Sequence, residues 1–156
     1  MSGKLIGIFI VIISLIAGIA IYWLQVFAFY DEVRAEAVSM TLVNMTTGEA
    51  EALVVDEFQG IDGSSSPIRF RACFTTPMSD VTLSETYEPY HEATPLIAPG
   101  WFECFDAVEI GEAIEAGEAL AFLSAKDITD GVDRVIAVFP DGRAFAWHQL
   151  NEKYQD

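Results

Sequence analysis

The chain has 156 residues, of which 24 are acidic and eight are basic, giving a formal net charge of −16 at pH 7. This length holds one membrane segment and one domain of ordinary size, and is too short for a second large core. All the acidic residues and seven of the basic ones follow residue 30, so the later part carries a formal charge of 7 minus 24, or −17. That charge excludes nucleic acid as a partner and attracts cationic partners at low salt. The alternative, which we favour, is that it only keeps an exported domain soluble.

The first predicted element is a transmembrane anchor within residues 1–30. No charged side chain occurs from Leu5 to Phe29. At about 1.5 Å per residue this segment is long enough to cross a hydrocarbon core of roughly 30 Å. Aromatic rings, which favour the lipid headgroup region, mark its C-terminal end at Tyr22, Trp23 and Tyr30. We therefore predict that this end lies at a membrane surface.

The alternative to an anchor is a cleaved secretory signal, for which residues 35–37 offer an A-x-A pattern. The apolar core of such a signal spans only about 7–15 residues, so the longer segment favours an uncleaved anchor. The basic Lys4 precedes the span, and basic residues near the ends of a span favour the cytoplasmic side. The predicted topology is a single pass with a cytoplasmic N-terminus, which in a bacterium places the domain in the periplasm.

The residues after the span predict a short connector followed by β-structure. Residues 31–37 form an acidic connector, and the alternating apolar residues of 38–54 predict two strands joined by a turn at Gly48. Residues 59–67 have loop composition, with two glycines and three serines. Residues 68–74 alternate as a half-buried strand with Arg69, Arg71 and Cys73 on one face, and in so acidic a domain these arginines are expected to meet carboxylates.

The second half of the chain predicts one helix and further strands. Residues 75–101 contain four of the six prolines and predict a long irregular segment. Asp106 and Glu109 have the spacing of a capping box, and Gly117 supplies a stop, so a helix of about ten residues is expected between them. Residues 119–123 and 132–139 predict strands, and the turn chemistry of 139–143 predicts a hairpin whose second arm reaches residue 150.

These elements predict an α+β fold over residues 38–156. The expected architecture is a single N-terminal transmembrane helix followed by a small, mostly antiparallel sheet of five or six strands with one packed helix.

Three stretches carry a resemblance to a known family: residues 96–106 (LIAPGWFECFD), residues 131–143 (GVDRVIAVFPDGR) and residues 147–154 (WHQLNEKY). In these stretches the sequence resembles a family of small single-span envelope proteins of alphaproteobacteria. That family has no assigned activity or catalytic residues. The resemblance therefore implies a bacterial inner-membrane location and carries over no chemistry.

The only cysteines, Cys73 and Cys104, form an even pair in a domain expected in an oxidising compartment. A disulfide is the favoured interpretation, and it would enclose the proline-rich segment. The alternatives are two separate buried thiols or a redox pair, although the spacing lacks the C-x-x-C pattern of redox sites.

Histidine is scarce, and neither His91 nor His148 has a second histidine at helical or turn spacing. The best candidate for a metal site is His91 with Glu88 and Glu92, but no metal or other cofactor is predicted. His148 alternates in phase with Ala146 and Leu150, so it is interpreted as a packed or interface residue rather than a ligand. Three aspartates at 127, 130 and 133 lie in one turn but do not match the spacing of an EF-hand.

With no catalytic constellation recognised, the predicted function is non-enzymatic. We expect a membrane-anchored accessory or assembly partner of an inner-membrane protein complex. One alternative is an acidic binding module for a basic periplasmic protein such as an electron carrier. Another is a metal carrier or enzyme centred on His91.

Overall fold

The computed structural model describes residues 2–154, which divide after residue 30 into two compact units. The first unit is helical. Helix α1 spans Gly3–Trp23 and continues as a π-helical stretch over Leu24–Ala28. Within residues 2–154 this is the one helix long and apolar enough to cross a membrane, with 26 residues and a mean hydropathy of 2.8. It could therefore contact membrane lipid.

The predicted anchor residues occupy this first unit and its end. Leu5, Tyr22 and Trp23 are exposed on α1, and Phe29 follows the π-helical stretch. The ring of Tyr22 meets that of Phe27 edge to face at 6.4 Å. Tyr30 opens the first strand of the sheet, so a single residue separates the apolar helix from β-structure.

Over its described residues, 31–154, the second unit is an antiparallel sheet domain with two α-helices, which confirms the predicted α+β class. Six strands form one sheet in the order β1-β4-β5-β8-β7-β6, and β2 and β3 form a separate hairpin. The strands are β1 Tyr30–Val33, β2 Thr41–Val43, β3 Ala50–Ala52, β4 Asp56–Gly63, β5 Arg71–Thr75, β6 Leu120–Thr129, β7 Val132–Val138 and β8 Arg143–Leu150. The helices are α2 Asp80–Thr86 and α3 Ala107–Ala116.

Three predictions along the chain are corrected. Residues 59–67 are not a single loop, because β4 occupies the segment up to residue 63. A register shift between Asp56 and Gln59 interrupts the strand, which hides its alternation in the sequence. The irregular segment 75–101 contains α2, whose start is capped by the Ser79 side chain. The connector 31–37 carries most of β1 and a short 3-10 turn.

Strand β5 is buried on both faces rather than on one. One face, with Ala72 and Phe74, packs in a core that includes Leu42 and Leu53 of the hairpin and Leu83 of α2. All three residues of β3 are exposed, including Ala50 and Ala52, which the alternation predicted to be buried, and Leu53 just after the strand is buried instead. The other face of β5 holds Arg71 and Cys73, opposite Trp147 and Phe145 of β8.

Helix α3 begins and ends where its caps predict. The Asp106 carboxylate accepts from the amides of Val108 and Glu109, and Gly117 ends the helix with φ of 72°. Glu109 does not complete the capping box, because its carboxylate accepts from Arg143 at 3.0 Å. The helix is therefore tied to the turn between β7 and β8.

Ser124 in β6 allows the effect of a buried hydroxyl on the stability of the fold to be measured. Its Oγ is fully buried and has no hydrogen-bond partner among the described residues, whereas its carbonyl accepts from the Thr41 hydroxyl at 3.0 Å. We expect Ser124→Ala to raise the free energy of unfolding by about 1 kcal/mol, because a desolvated hydroxyl is removed. Urea unfolding of the full chain in mild detergent measures this. Thr41→Val removes a bonded hydroxyl and should lower stability by about as much; equal losses in both variants would contradict the expectation.

Candidate functional site

The most distinctive surface of the domain is a strap, residues 92–105, which crosses the face of the sheet that holds Arg71 and Cys73. Its first part is held by Gln149, a side chain that is 2% exposed. The Gln149 amide donates to the Glu92 carbonyl at 2.9 Å, and its oxygen accepts from the Thr94 amide at 2.8 Å and the Trp147 indole at 2.9 Å. The irregular strap therefore replaces missing backbone pairing with a buried side chain.

Arg71 holds the middle of the strap. Its guanidinium, 4% exposed as a residue, donates from Nε to the Leu96 carbonyl at 2.7 Å and from Nη2 to the Ile97 carbonyl at 3.3 Å. Its Nη1 donates to the carbonyls of Ile68 and Phe70. These hydrogen bonds go to main-chain carbonyls rather than to the carboxylates that the charge balance predicted.

The end of the strap is held by a disulfide and an aromatic cluster. The predicted bond between Cys73 and Cys104 is present, with their Cα atoms 6.3 Å apart. Next to it, the Phe105 ring meets Phe145 and Trp147 edge to face at 6.0 and 6.4 Å. The strap is thus fixed at its start, its middle and its end.

Two apolar side chains of this fixed strap face solvent. Ile97 is 81% exposed and Trp101 is 36% exposed. Ile97 carries one of the carbonyls bound by Arg71, so its backbone is held while its side chain extends outward. A rigid backbone that presents an apolar side chain loses little conformational entropy on binding a partner. We call Ile97 and Trp101 the strap surface.

An acidic groove adjoins the strap surface. It has a volume of about 830 Å³ and is lined by residues 32–36, 55–61 and 101–102. Trp101 belongs to both features. The apolar lining includes Val33 and Phe58, and four exposed carboxylates contribute to the same lining: Glu32, Glu36, Asp56 and Glu57.

The candidate metal residues lie in a different groove, of about 410 Å³. His91, Glu88 and Glu92 all line it, together with the amines Lys126 and Lys153. Over residues 2–154, however, no three His, Cys, Asp or Glu side chains are grouped so that they could hold a metal ion. The structure brings the predicted residues to one groove without bringing them together as ligands.

The aspartates of the β6–β7 turn form a hydrogen-bonded network. The buried Asp133 carboxylate accepts from the Asp127 amide, from Asn151 and from the Tyr90 hydroxyl. Asn151 also donates to the Asp127 carboxylate at 3.0 Å. Burial, with the Asp133 charge, raises the pKa of Tyr90, so the phenol stays protonated as a donor. These oxygens close the turn, while Asp130 pairs with Lys153.

His148 is packed inside the domain, in a stretch of β8 whose residues 144–149 are all buried. Its ring stacks on Phe70 at 4.6 Å. Its Nδ1 lies 2.8 Å from the Pro67 carbonyl, and its Nε2 accepts from Arg134 Nε at 3.1 Å. The pKa of His148 is lowered to about 4, mainly by burial; the hydrogen bond to Pro67 raises it, and the charges of Arg134 and Arg71 lower it. The imidazole is therefore neutral, with its proton on Nδ1.

The neutral His148 predicts a loss of stability in acid. The unfolded chain takes up this proton near pH 6.5 and the folded chain only near pH 4. The free energy of unfolding is therefore unaffected by this group above pH 6.5, and it falls by up to about 3 kcal/mol as the pH drops from 6.5 to 4. Thermal unfolding of the full chain in detergent from pH 7 to 4 measures it. We expect His148→Gln, which can keep both hydrogen bonds, to flatten this part of the profile.

The exposed His91 offers a matched control for that experiment. His91→Gln should leave the acid profile of the wild type unchanged. If His148→Gln and the wild type lose stability in parallel between pH 6.5 and 4, the assignment of the effect to His148 is wrong.

Sequence reasoning missed the residues that build the strap. Gln149 and Arg71 carry no motif, and the only available signal was the length of the proline-rich segment between two paired cysteines. The fold and site together define a sheet domain that follows one apolar helix and presents the strap surface beside an acidic groove.

The chain belongs to a family of unknown function (DUF6446), whose model matches residues 40–156. The description of the family assigns no activity. Comparison with curated proteins and with solved structures gave no match.

Proposed function

We propose that this protein is a non-enzymatic accessory or assembly partner of an inner-membrane protein complex, and that it binds this complex through the strap surface. In this proposal the N-terminal helix crosses a bacterial inner membrane with its N-terminus in the cytoplasm. The acidic domain then lies in the periplasm. The observation that carries the proposal is the fixed strap, which holds Ile97 at 81% exposure.

The construction of the strap supports a binding role. Three separate devices restrain it: the buried Gln149, the buried Arg71 and the disulfide. Burying polar side chains to position a loop costs desolvation free energy, which the hydrogen bonds must offset. The three restraints together fix the backbone of the strap surface. Exposed apolar residues on a rigid backbone are frequent anchors of protein interfaces.

The short tether supports a partner at the membrane. The apolar helix ends at Ala28 and β1 begins at Tyr30. A chain spans at most about 3.6 Å per residue, so the domain cannot move far from the end of the helix. The disulfide is compatible with an oxidising compartment. A partner embedded in or bound to the same membrane meets both conditions.

A photo-crosslinking amino acid at position 97 tests this proposal. In cells of the native host, the full chain labelled at residue 97 is expected to form a covalent adduct with one membrane protein. The matched control is residue 108, because Val108 on α3 is also exposed, at 63%. Adducts at both positions, or at neither, would contradict the proposal.

Ile97→Asp provides the second test. It should reduce co-purification of the crosslinked partner in mild detergent by about tenfold, because a buried interface would then contain an unpaired carboxylate. Val108→Asp should have no effect. Both positions are exposed, so the melting temperatures of the two variants should match that of the wild type.

A further inference from the structure

The acidic groove beside the strap combines an apolar lining with unpaired negative charge. Its four carboxylates, Glu32, Glu36, Asp56 and Glu57, face a single guanidinium, Arg34, in the same lining. The three ion pairs found within residues 2–154 use other carboxylates, at positions 109, 130 and 141. The groove therefore holds an excess of negative charge that no described side chain neutralises.

One of the four carboxylates, that of Glu57, lies at an irregularity in the backbone of β4. Glu57 has a φ of 53°, in the left-handed region that favours glycine, and the register of β4 shifts around it. A bulge of this kind redirects a side chain and adds backbone strain. Nearby, Gly60 lets the Phe58 ring lie close to the backbone, since a Cβ there would stand 2.7 Å from that ring. The glutamate and the ring thus line one groove.

The position of the groove along the chain limits which partners can reach it. Glu32 is four residues beyond Ala28, where the apolar helix ends. Four residues of chain extend over at most about 14 Å. This chain length sets an upper limit on the distance between Ala28 and Glu32. In the proposed function the helix lies in a membrane. A second protein in the same membrane can therefore reach the Glu32 end of the groove.

We infer that this acidic groove binds a cationic, apolar-rich segment of a second membrane-bound protein. Lysine or arginine side chains of that segment meet the carboxylates, and its apolar side chains lie against Val33, Phe58 and Trp101. Charge complementarity selects the segment and the apolar contacts hold it. This inference rests on the proposed function, because it names the chemistry of the partner that the strap surface contacts.

A synthetic probe tests the groove directly. The probe is a fluorescein-labelled peptide of about ten residues that alternates lysine with leucine and tryptophan. Its binding to the full chain in non-ionic detergent is followed by fluorescence anisotropy, with empty micelles as background. We expect saturable binding that weakens as salt rises, because screening shortens the range of these charges to about 8–10 Å at physiological ionic strength. No binding above the micelle background would overturn the inference.

Two sets of charge-neutralising variants separate the groove from the overall charge. Glu32→Gln, Asp56→Asn and Glu57→Gln are combined in one variant. Glu112→Gln, Glu115→Gln and Glu118→Gln, at exposed positions on or just after α3, form the matched control. The groove variant should weaken binding about tenfold and the control less than about twofold. Equal weakening in both would show that only the overall charge matters, and would overturn the inference.

Two further measurements do not depend on the folding of a variant. A peptide with serine in place of every leucine and tryptophan should bind about tenfold more weakly, because it lacks apolar contacts; equal affinity would contradict the apolar lining. A peptide carrying a photo-crosslinker should label residues 32–36, 55–61 or 101–102 of the wild type, which together line the groove. Labels elsewhere overturn the inference. If the crosslink from residue 97 is still obtained, the proposed function stands while the groove assignment fails.

Discussion

Replacing both Cys73 and Cys104 by alanine is expected to lower the free energy of unfolding of the full chain by about 3–4 kcal/mol. The disulfide joins residues 31 positions apart. Closing a loop of that length removes conformational entropy from the unfolded chain, and the chain-entropy relation gives about 3.7 kcal/mol for it. For a domain of this size, the melting temperature should fall by roughly 10–15 °C.

Reduction provides the control for this prediction. The wild type in the presence of a strong reductant should melt near the temperature of the double variant, and the reductant should not change the variant itself. A melting temperature that is the same in all four samples would contradict the stabilising role of the bond. We also expect the crosslink from residue 97 to weaken in the double variant, because the end of the strap is released.

Arg71→Met is expected to lower the free energy of unfolding by about 3–5 kcal/mol. Hydrogen bonds from a charged group contribute about 1.5–3 kcal/mol each, and two of those made by Arg71 hold the strap carbonyls of Leu96 and Ile97. Without the guanidinium these carbonyls lose their donor in a poorly hydrated place. Arg71→Lys should recover little of the loss, because an ammonium cannot reproduce the planar, forked geometry. Urea unfolding in detergent measures both.

Arg143→Met is the matched control for Arg71. Arg143 forms two ion pairs, with Glu109 and Asp141, but its side chain is 45% exposed. Exposed pairs contribute about 0–1 kcal/mol each, so this variant should lose far less stability. If the two arginine variants are equally stable, the strap does not depend on Arg71.

The two largest effects should not be additive, because the disulfide and Arg71 restrain the same segment. In the triple variant without Cys73, Cys104 and Arg71, the loss should be smaller than the sum of the separate losses. Full additivity would indicate that the middle and the end of the strap are independent of each other.

The acidic groove could not be predicted from patterns of residues that are close in the sequence. Its carboxylates are plain in the sequence, but nothing in the sequence brings residues 32–36 beside 55–61 and 101–102. The strand β4 escaped prediction because the register shift after Asp56 breaks the alternation by which a strand is recognised. The metal candidates His91, Glu88 and Glu92 are close in sequence, yet proximity along the chain does not make their side chains converge.

The sequence alone determined the features that depend on short range: the apolar helix, the caps of α3 at Asp106 and Gly117, the hairpin turn of residues 139–143 and the α+β class. These follow from periodicity and from the φ and hydrogen-bonding preferences of single residues. Only the tertiary structure decided that Arg71 is buried beneath residues 96 and 97 and that Ile97 is exposed. An alternating strand shows which residues share a face, but whether a distant segment covers that face depends on contacts that no local pattern records.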